Sequence, residues 1–207
     1  MRAPWPLNLT RRLLAISGLL LGQVCHAEGT LISDSQLNVN WGMVSGSFTG
    51  GSGFKGSISV PTSIDVGYEV FSSSRKSLLF RAILSNNLSE SRIAYSYAGV
   101  SRRYYLGSSG MGFTNSDGVT NVVSIPQRRF YAGVDVGVSQ VLVAEQGPVL
   151  QVNSGLIDFG GHLGAIFQMS PTIGINAQVG MAFGYGFSAI AVSGTINRIF
   201  LGITYFL

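Results

Sequence analysis

The feature that most constrains this chain is a two-residue alternation of apolar with small or polar side chains. It recurs over most of the sequence after residue 60; for example, Phe130, Ala132, Val134, Val136 and Val138 alternate with Tyr131, Gly133, Asp135, Gly137 and Ser139. A β-strand places alternate residues on opposite faces, whereas a helix scatters both sets around its circumference. The alternation therefore predicts an all-β chain and argues against helix for most of its length.

Turn residues divide the chain into eight predicted strands, at residues 35–44, 62–72, 77–85, 91–106, 128–143, 154–168, 172–185 and 195–207. An even number lets antiparallel strands close with both chain ends on the same side. The connection 107–127 lies on the side of the chain ends, where short turns are expected, and it is long for such a turn. Because Phe54–Val60 and Val119–Ile125 are candidates for additional strands, ten strands are the alternative.

The first 27 residues have the layout of a secretory signal peptide. Arg2, Arg11 and Arg12 precede a short apolar run at 13–21, and Cys25 and Ala27 stand three and one positions before Glu28. This layout predicts export and cleavage after Ala27, leaving a mature domain at 28–207. That domain contains no cysteine, which excludes disulfides and cysteine-based metal sites from it.

The composition narrows the class of protein further. Only 11% of residues are charged, against roughly 25% in soluble domains, and 28 are glycine. Disorder is disfavoured because it requires low hydrophobicity and high charge. The net charge of +4 arises mainly from the signal segment, since residues 28–207 hold 10 basic and 9 acidic side chains. A basic surface for nucleic acid is therefore not expected.

Two architectures suit an exported all-β chain: a soluble sandwich and an antiparallel transmembrane β-barrel. The polar face of a soluble sandwich is rich in charge, but here that face carries mostly Gly, Ser, Asn and Gln. Small residues suit the crowded interior of a narrow barrel, whose apolar face contacts lipid. The mean hydropathy of +0.35 also favours the barrel. A soluble periplasmic sandwich that binds a partner remains an alternative.

The C-terminal strand carries a family resemblance. One of its faces holds Ile199, Leu201, Ile203, Tyr205 and Leu207. This pattern resembles the closing strand of small bacterial outer-membrane β-barrel proteins, which has Tyr third from the end but usually finishes on Phe or Trp. The resemblance implies residence in the outer membrane, in contact with its lipid and lipopolysaccharide. It also implies assistance from the barrel-assembly machinery and periplasmic chaperones during export.

The inward face of the predicted barrel gathers most of the ionisable side chains. With the assigned parity it holds Asp65, Glu69, Arg81, Arg102, Asp135, Asp158, His162 and Arg198. Unpaired charges are costly inside a barrel, so we expect a network in which carboxylates pair with arginines. Four carboxylates against three arginines leave one surplus acid, which a protonated His162 would offset. A gated ion path is the functional alternative to a structural network.

A catalytic role is disfavoured by the residues present. His162 is the one histidine after residue 27. Lipid A deacylase barrels resemble this chain in size, but their motif has Ser two residues after the catalytic His, where this chain has Gly164. No metal-ligand spacing is present either. We therefore expect a non-enzymatic protein without cofactor that serves envelope integrity or surface interaction through its loops; passage or binding of a small or hydrophobic solute is the alternative.

Aromatic and basic residues predict where the barrel meets head groups. Such barrels carry an aromatic girdle at each membrane interface, and the candidate members are Trp41, Tyr68, Tyr95, Tyr97, Tyr105 and Tyr205. Arginines 102, 103, 128 and 129 surround the connection 107–127. Arg103 is expected to reach lipid phosphates, and a solvated rim is the alternative.

Overall fold

The computed structural model describes residues 34–87, 92–107, 110, 113–116, 121–124, 126–145, 151–187 and 192–207. Its strands are β1 (Ser35–Gly50), β2 (Lys55–Ser73), β3 (Lys76–Asn87), β4 (Arg92–Leu106), β5 (Phe113–Ser116), β6 (Asn121–Ser124), β7 (Arg128–Glu145), β8 (Gln151–Gln168), β9 (Ile173–Gly186) and β10 (Val192–Phe206). A 3-10 turn, Gly51–Gly53, follows β1. Within the part described, no helix is long and apolar enough to cross a membrane. The predicted signal segment 1–27 lies outside the described residues.

Eight strands close into one antiparallel barrel. Each pairs with its neighbours in the order β1, β2, β3, β4, β7, β8, β9 and β10, and β10 returns to β1, where Leu201 stands opposite Trp41. β5 and β6 form a separate two-stranded hairpin. The prediction of an eight-stranded barrel is confirmed. The ten-stranded barrel is wrong because the extra pair, which overlaps the predicted arm Val119–Ile125, does not join the barrel sheet.

The other candidate for an extra strand, Phe54–Val60, belongs mostly to β2. Against β1, the pairing passes from Val60 opposite Val44 to Ser63 opposite Gly42, so Pro61 and Thr62 form a bulge. Proline suits this position because it has no N–H to donate to the ladder. The bulge also changes which parity faces inward, so that both Val60 and Asp65 are buried. The predicted start at residue 62 was therefore seven residues too late.

Both ends of the barrel sequence meet on one side, which we call the terminal end. The N–H of Leu207 donates to the carbonyl of Ser35 there at 3.1 Å. The connections after β2, β4 and β8 lie at this end, and those after β1, β3, β7 and β9 lie at the opposite, loop end. Gly110, in the long connection after β4, donates its N–H to the carbonyl of Ser74 at 2.6 Å. A Cβ there would lie 2.6 Å from ring atoms of Phe71 and Tyr105, so this contact requires glycine.

The interior is filled in three layers. An apolar layer at the loop end comprises Val44, Phe48, Ile58, Ile83, Tyr95, Tyr97, Val141, Leu156, Val192, Ile196 and Phe200. A mainly aromatic layer at the terminal end comprises Phe71, Tyr105, Tyr131, Ile166 and Phe206. Between them lie the buried charged side chains and the histidine that we call the polar layer: Asp65, Glu69, Arg81, Arg103, Asp135, Asp158, His162 and Arg198. Eight strands enclose just enough space for side chains of this size.

The outward-facing side chains of the barrel strands, which we call the outer wall, are mainly apolar. Leu163 is 59% exposed, Leu201 61% and Val134 61%. Large apolar side chains are exposed in this way on all eight barrel strands. A continuous apolar surface of this extent is unusual for a soluble monomer and marks a surface that contacts lipid or protein.

Candidate functional site

The polar layer brings together seven of the eight residues predicted for the interior. They are Asp65, Glu69, Arg81, Asp135, Asp158, His162 and Arg198, and each is at most 6% exposed. They project from β2, β3, β7, β8 and β10, because the period of two turns every second residue of a strand inward. Among the described residues, three arginine–carboxylate ion pairs and the contact between His162 and Asp135 connect this layer.

The eighth predicted residue, Arg102, lies on the outer wall, and that prediction was wrong. Arg103 takes the interior position and is 1% exposed. The pairing of β4 with β3 and β7 determines which of its two arginines points inward. Arg103 stands opposite Ser77 and Gly133, both of which face inward. The expectation that Arg103 reaches lipid phosphates is wrong for the same reason.

Glu69 is the most heavily hydrogen-bonded carboxylate of the polar layer. It accepts from Arg103 Nη1 at 2.7 Å, Gln36 Nε2 at 2.6 Å, Tyr105 Oη at 2.8 Å and the Ser77 hydroxyl. These donors come from three strands, β1, β3 and β4. A charge that is fully removed from water requires such compensation. Glu69 therefore ties the polar layer to the aromatic layer at the terminal end.

His162 lies between an arginine and an aspartate. Arg103 Nε donates to His162 Nε2 at 3.0 Å, and His162 Nδ1 contacts Asp135 Oδ2 at 3.1 Å. Because a guanidinium can only donate, Nε2 accepts and the ring proton resides on Nδ1. The imidazole is thus neutral in this geometry. Ser101 donates its hydroxyl to the other oxygen of Asp135.

The remaining two ion pairs lie nearer the loop end. Arg81 holds Asp65 in a two-pronged contact, Nε to Oδ1 at 2.7 Å and Nη2 to Oδ2 at 2.9 Å. Arg198 Nη2 donates to Asp158 Oδ2 at 3.0 Å, and its guanidinium carbon lies 4.3 Å from the centre of the Tyr97 ring. The loop-end apolar layer begins immediately beyond these pairs.

A further buried arginine, Arg129, was not in the predicted set. It is 2% exposed, donates to the carbonyl of Gly110 at 2.7 Å, and lies 4.2 Å from the centre of the Phe206 ring. The alternation could have predicted that Arg129 is buried, because Tyr131 was assigned inward and Arg129, two residues earlier on the same strand, faces the same way. Four buried arginines thus match four buried carboxylates. The expectation that a protonated His162 offsets a surplus acid was therefore wrong.

Of the six aromatic residues predicted for the girdles, three face outward, as a girdle requires, and three do not. Trp41, Tyr68 and Tyr205 lie exposed on the outer wall. Tyr95, Tyr97 and Tyr105 are buried inside the barrel instead. The outward aromatic of β4 near the terminal end is Tyr104, which is 43% exposed.

The closing strand presents one apolar face. On β10, Ile199, Leu201, Ile203 and Tyr205 are exposed on the outer wall, and Leu207, just beyond the strand, is exposed as well. The opposite face of β10 supplies Arg198, Phe200, Thr204 and Phe206 to the interior.

The polar layer holds charge without presenting a reactive group. In a serine hydrolase the nucleophile must contact the histidine base. Here Ser101 contacts Asp135 instead, and Nε2 of His162 is occupied by Arg103. Among the residues that the structure describes, no group of three or more His, Cys, Asp or Glu side chains is placed to hold a metal ion. The contacts observed are those of a packed electrostatic network.

Comparison with solved structures supports the fold. The chain is similar to Neisserial surface protein A, with a TM-score of 0.56, 11% identity, and coverage of 84% of this chain and 98% of that one. For the N-terminal β-barrel domain of Pseudomonas aeruginosa OprF, the TM-score is 0.44 and the identity 9%, over 84% of this chain and 97% of that one. For the outer membrane protease OmpT from Escherichia coli, the TM-score is 0.42 and the identity 6%, over 88% of this chain and 99% of that one. No family model and no curated protein sequence matches the chain. Its fold is that of the small outer-membrane β-barrels.

Proposed function

We propose that this chain, which has the fold of the small outer-membrane barrels, is a non-enzymatic integral protein of that membrane. In this proposal residues 1–27 direct export and are removed, and residues 28–207 insert into the bilayer. The barrel contacts outer-membrane lipid and lipopolysaccharide, and the assembly machinery and periplasmic chaperones act on it during export. Its role is envelope integrity or surface interaction through the connections at the loop end.

The observation that carries the proposal is the inversion of the usual polarity. Side chains such as Leu201 and Val134 are more than half exposed, while Glu69 and Asp158 have no exposed surface. In water this arrangement leaves apolar surface hydrated and isolates charges from solvent, both of which are unfavourable. In a bilayer the same wall is solvated by acyl chains, and every strand hydrogen bond is satisfied within the closed barrel.

Passage of a solute through the barrel is disfavoured by its filling. The apolar layer at the loop end and the aromatic layer at the terminal end lie on either side of the polar layer. Within the polar layer, Arg81, Arg103 and Arg198 each bridge to a carboxylate from another strand. A conducting pathway requires mobile water, whereas these layers are packed side chains. In this proposal the protein therefore interacts with other molecules through its outer wall and its loops and not through its interior.

A gel-mobility experiment tests the proposal. The protein is extracted in detergent from the outer-membrane fraction and run with and without boiling. We expect membrane fractionation and a heat-dependent change of mobility, because a closed barrel resists mild detergent until it is heated. A protein recovered without detergent from the periplasmic extract, and showing no change on boiling, would contradict membrane insertion.

A conductance measurement separates the sealed barrel from the solute-passage alternative. Protein that shows the heat-dependent change is inserted into planar bilayers. We expect no conductance above that of the protein-free bilayer. Steady conductance that disappears in Arg81→Ala or Asp135→Ala would favour an ion path through the polar layer instead.

A further inference from the structure

Arg102 is a charged side chain on the outer wall that lies within a strand, between apolar neighbours. It stands opposite Leu78 on β3 and Val134 on β7, and its outward neighbours along β4 are Val100 and Tyr104. The structure gives it no hydrogen bond or ion pair with any described residue, in contrast to the partnered arginines of the polar layer. Among the described outward side chains, the other charged ones, Lys55, Lys76 and Arg128, are first residues of their strands.

The position of Arg102 along β4 fixes how far it is from the barrel end. It lies four residues before the last strand residue, Leu106. At a rise of about 3.3 Å per residue that is roughly 13 Å along the strand. With a tilt of about 45°, the height is roughly 9 Å. A long arginine side chain spans most of this height, so its guanidinium extends towards the head groups of the terminal-end leaflet.

Two neighbouring side chains complete a polar group around that guanidinium. Lys76 on β3 stands opposite Tyr104, so Lys76 and Arg102 are diagonal neighbours across the β3–β4 pair. Diagonal pairs on one sheet face lie within reach of long side chains. Lys76 and Tyr104 are both exposed. Tyr104 lies between the two cations and offers a hydroxyl near the expected interface.

The described charges around this group have one sign. On β3, β4 and β7 near the terminal end, and in the turn before β3, the exposed or half-exposed charged residues described are Arg75, Lys76, Arg102 and Arg128. Among the residues that the structure describes, the acidic ones towards this end are Glu69 and Asp135, which are buried and paired inside, and Asp34, which precedes β1. The surface formed by Arg102, Tyr104 and Lys76 is thus cationic and bordered by apolar wall.

We propose that Arg102, Lys76 and Tyr104 form a binding site for the phosphate of an anionic glycerophospholipid in the terminal-end leaflet. The guanidinium and ammonium neutralise the phosphate, the tyrosine hydroxyl donates to it, and the acyl chains lie along Leu78 and Val134. A guanidinium forms paired hydrogen bonds with phosphate oxygens, which explains an arginine at the deeper position. The inference rests on the proposed insertion of the barrel into a bilayer.

Native mass spectrometry of the detergent-extracted protein tests the site. The protein is supplied with equimolar phosphatidylglycerol and phosphatidylcholine, and the two bound populations are compared. We expect the anionic lipid to be enriched about fivefold for each cation that contributes. Arg102→Gln and Lys76→Gln should each lower the enrichment by about that factor. Lys55→Gln, which removes one charge at the loop end, is the matched control and should leave the enrichment unchanged.

Two further measurements keep the outcomes distinct. Excess inorganic phosphate should not displace the lipid, because acyl contacts contribute to binding; displacement would show a free-anion site and overturn the proposal. Equal enrichment in wild type and Arg102→Gln would also overturn it. Either result in protein that keeps its heat-dependent mobility leaves the proposed membrane barrel intact, whereas loss of detergent dependence would reject the barrel itself.

Discussion

The two faces of the same strands treat charge in opposite ways. On β4, Arg103 points inward and contacts Glu69, His162 and Gln178, whereas Arg102 points outward among apolar neighbours. Inside, the charges are buried but compensated by side chains from other strands. Outside, apolar side chains replace charge over most of the wall. The comparison indicates that the barrel accepts charge inside, where side chains of other strands compensate it, and largely replaces charge with apolar side chains on the outer wall.

Breaking a pair inside the barrel should have the largest effect. Asp65→Leu leaves Arg81 buried without its carboxylate, and we expect the free energy of unfolding to fall by about 3–5 kcal/mol. Denaturant titration of protein folded into lipid vesicles measures this. The double variant Asp65→Leu/Arg81→Leu is the control and should lose less than the single one, because it removes both charges. If the Asp65→Leu variant were as stable as wild type, Asp65 would not be needed to stabilise the buried charge of Arg81.

Adding a charge to the outer wall should have the next largest effect. Val136 is 49% exposed and stands opposite Val100 and Phe159. Val136→Arg should lower the unfolding free energy in vesicles by about 2–4 kcal/mol, as expected for a cation near the bilayer midplane. Thr49→Arg, placed on an exposed residue at the loop end of β1, should cost about 0–1 kcal/mol. Equal costs at the two positions would mean that the wall does not face a bilayer.

A smaller effect is expected from crowding the polar layer. A Cβ on Gly133 would fall 2.6 Å from His162 Nε2, so Gly133→Ala must displace the imidazole from Arg103 or Asp135. We expect a loss of about 1–3 kcal/mol in the same titration. Gly51→Ala is the control, since a Cβ there meets no atom within 4 Å. If Gly51→Ala lost stability and Gly133→Ala did not, crowding against His162 would not be the cause of the effect.

The alternation predicted most of the fold because one period sets both the strand positions and their faces. It failed where two faces look alike. On β4 the adjacent pairs Arg102–Arg103 and Tyr104–Tyr105 put the same residue types on both faces, so only pairing with neighbouring strands decides parity. The start of β2 was missed because Pro61 resembles a strand end, although a bulge accommodates it.

The polar layer was predictable as a set of inward residues but not as a set of partners. Parity alone placed Asp65 and Arg81 inside, and the same rule would have found Arg129. That Arg103 bridges Glu69 and His162 depends on the stagger of non-adjacent strands around a closed barrel. No local pattern contains that information, because the stagger is a property of the whole sheet.

The central claim is that the apolar wall faces lipid, and Trp41 reports on it directly. Trp41 is 52% exposed on the outer wall, and it is the one tryptophan of residues 28–207. Residues 28–207 are folded into vesicles whose acyl chains carry bromine, and the Trp41 fluorescence is compared with that in unbrominated vesicles and in aqueous iodide. We predict strong quenching by the brominated chains and little by iodide. Quenching by iodide with none from the brominated chains would place this face in water and contradict the account.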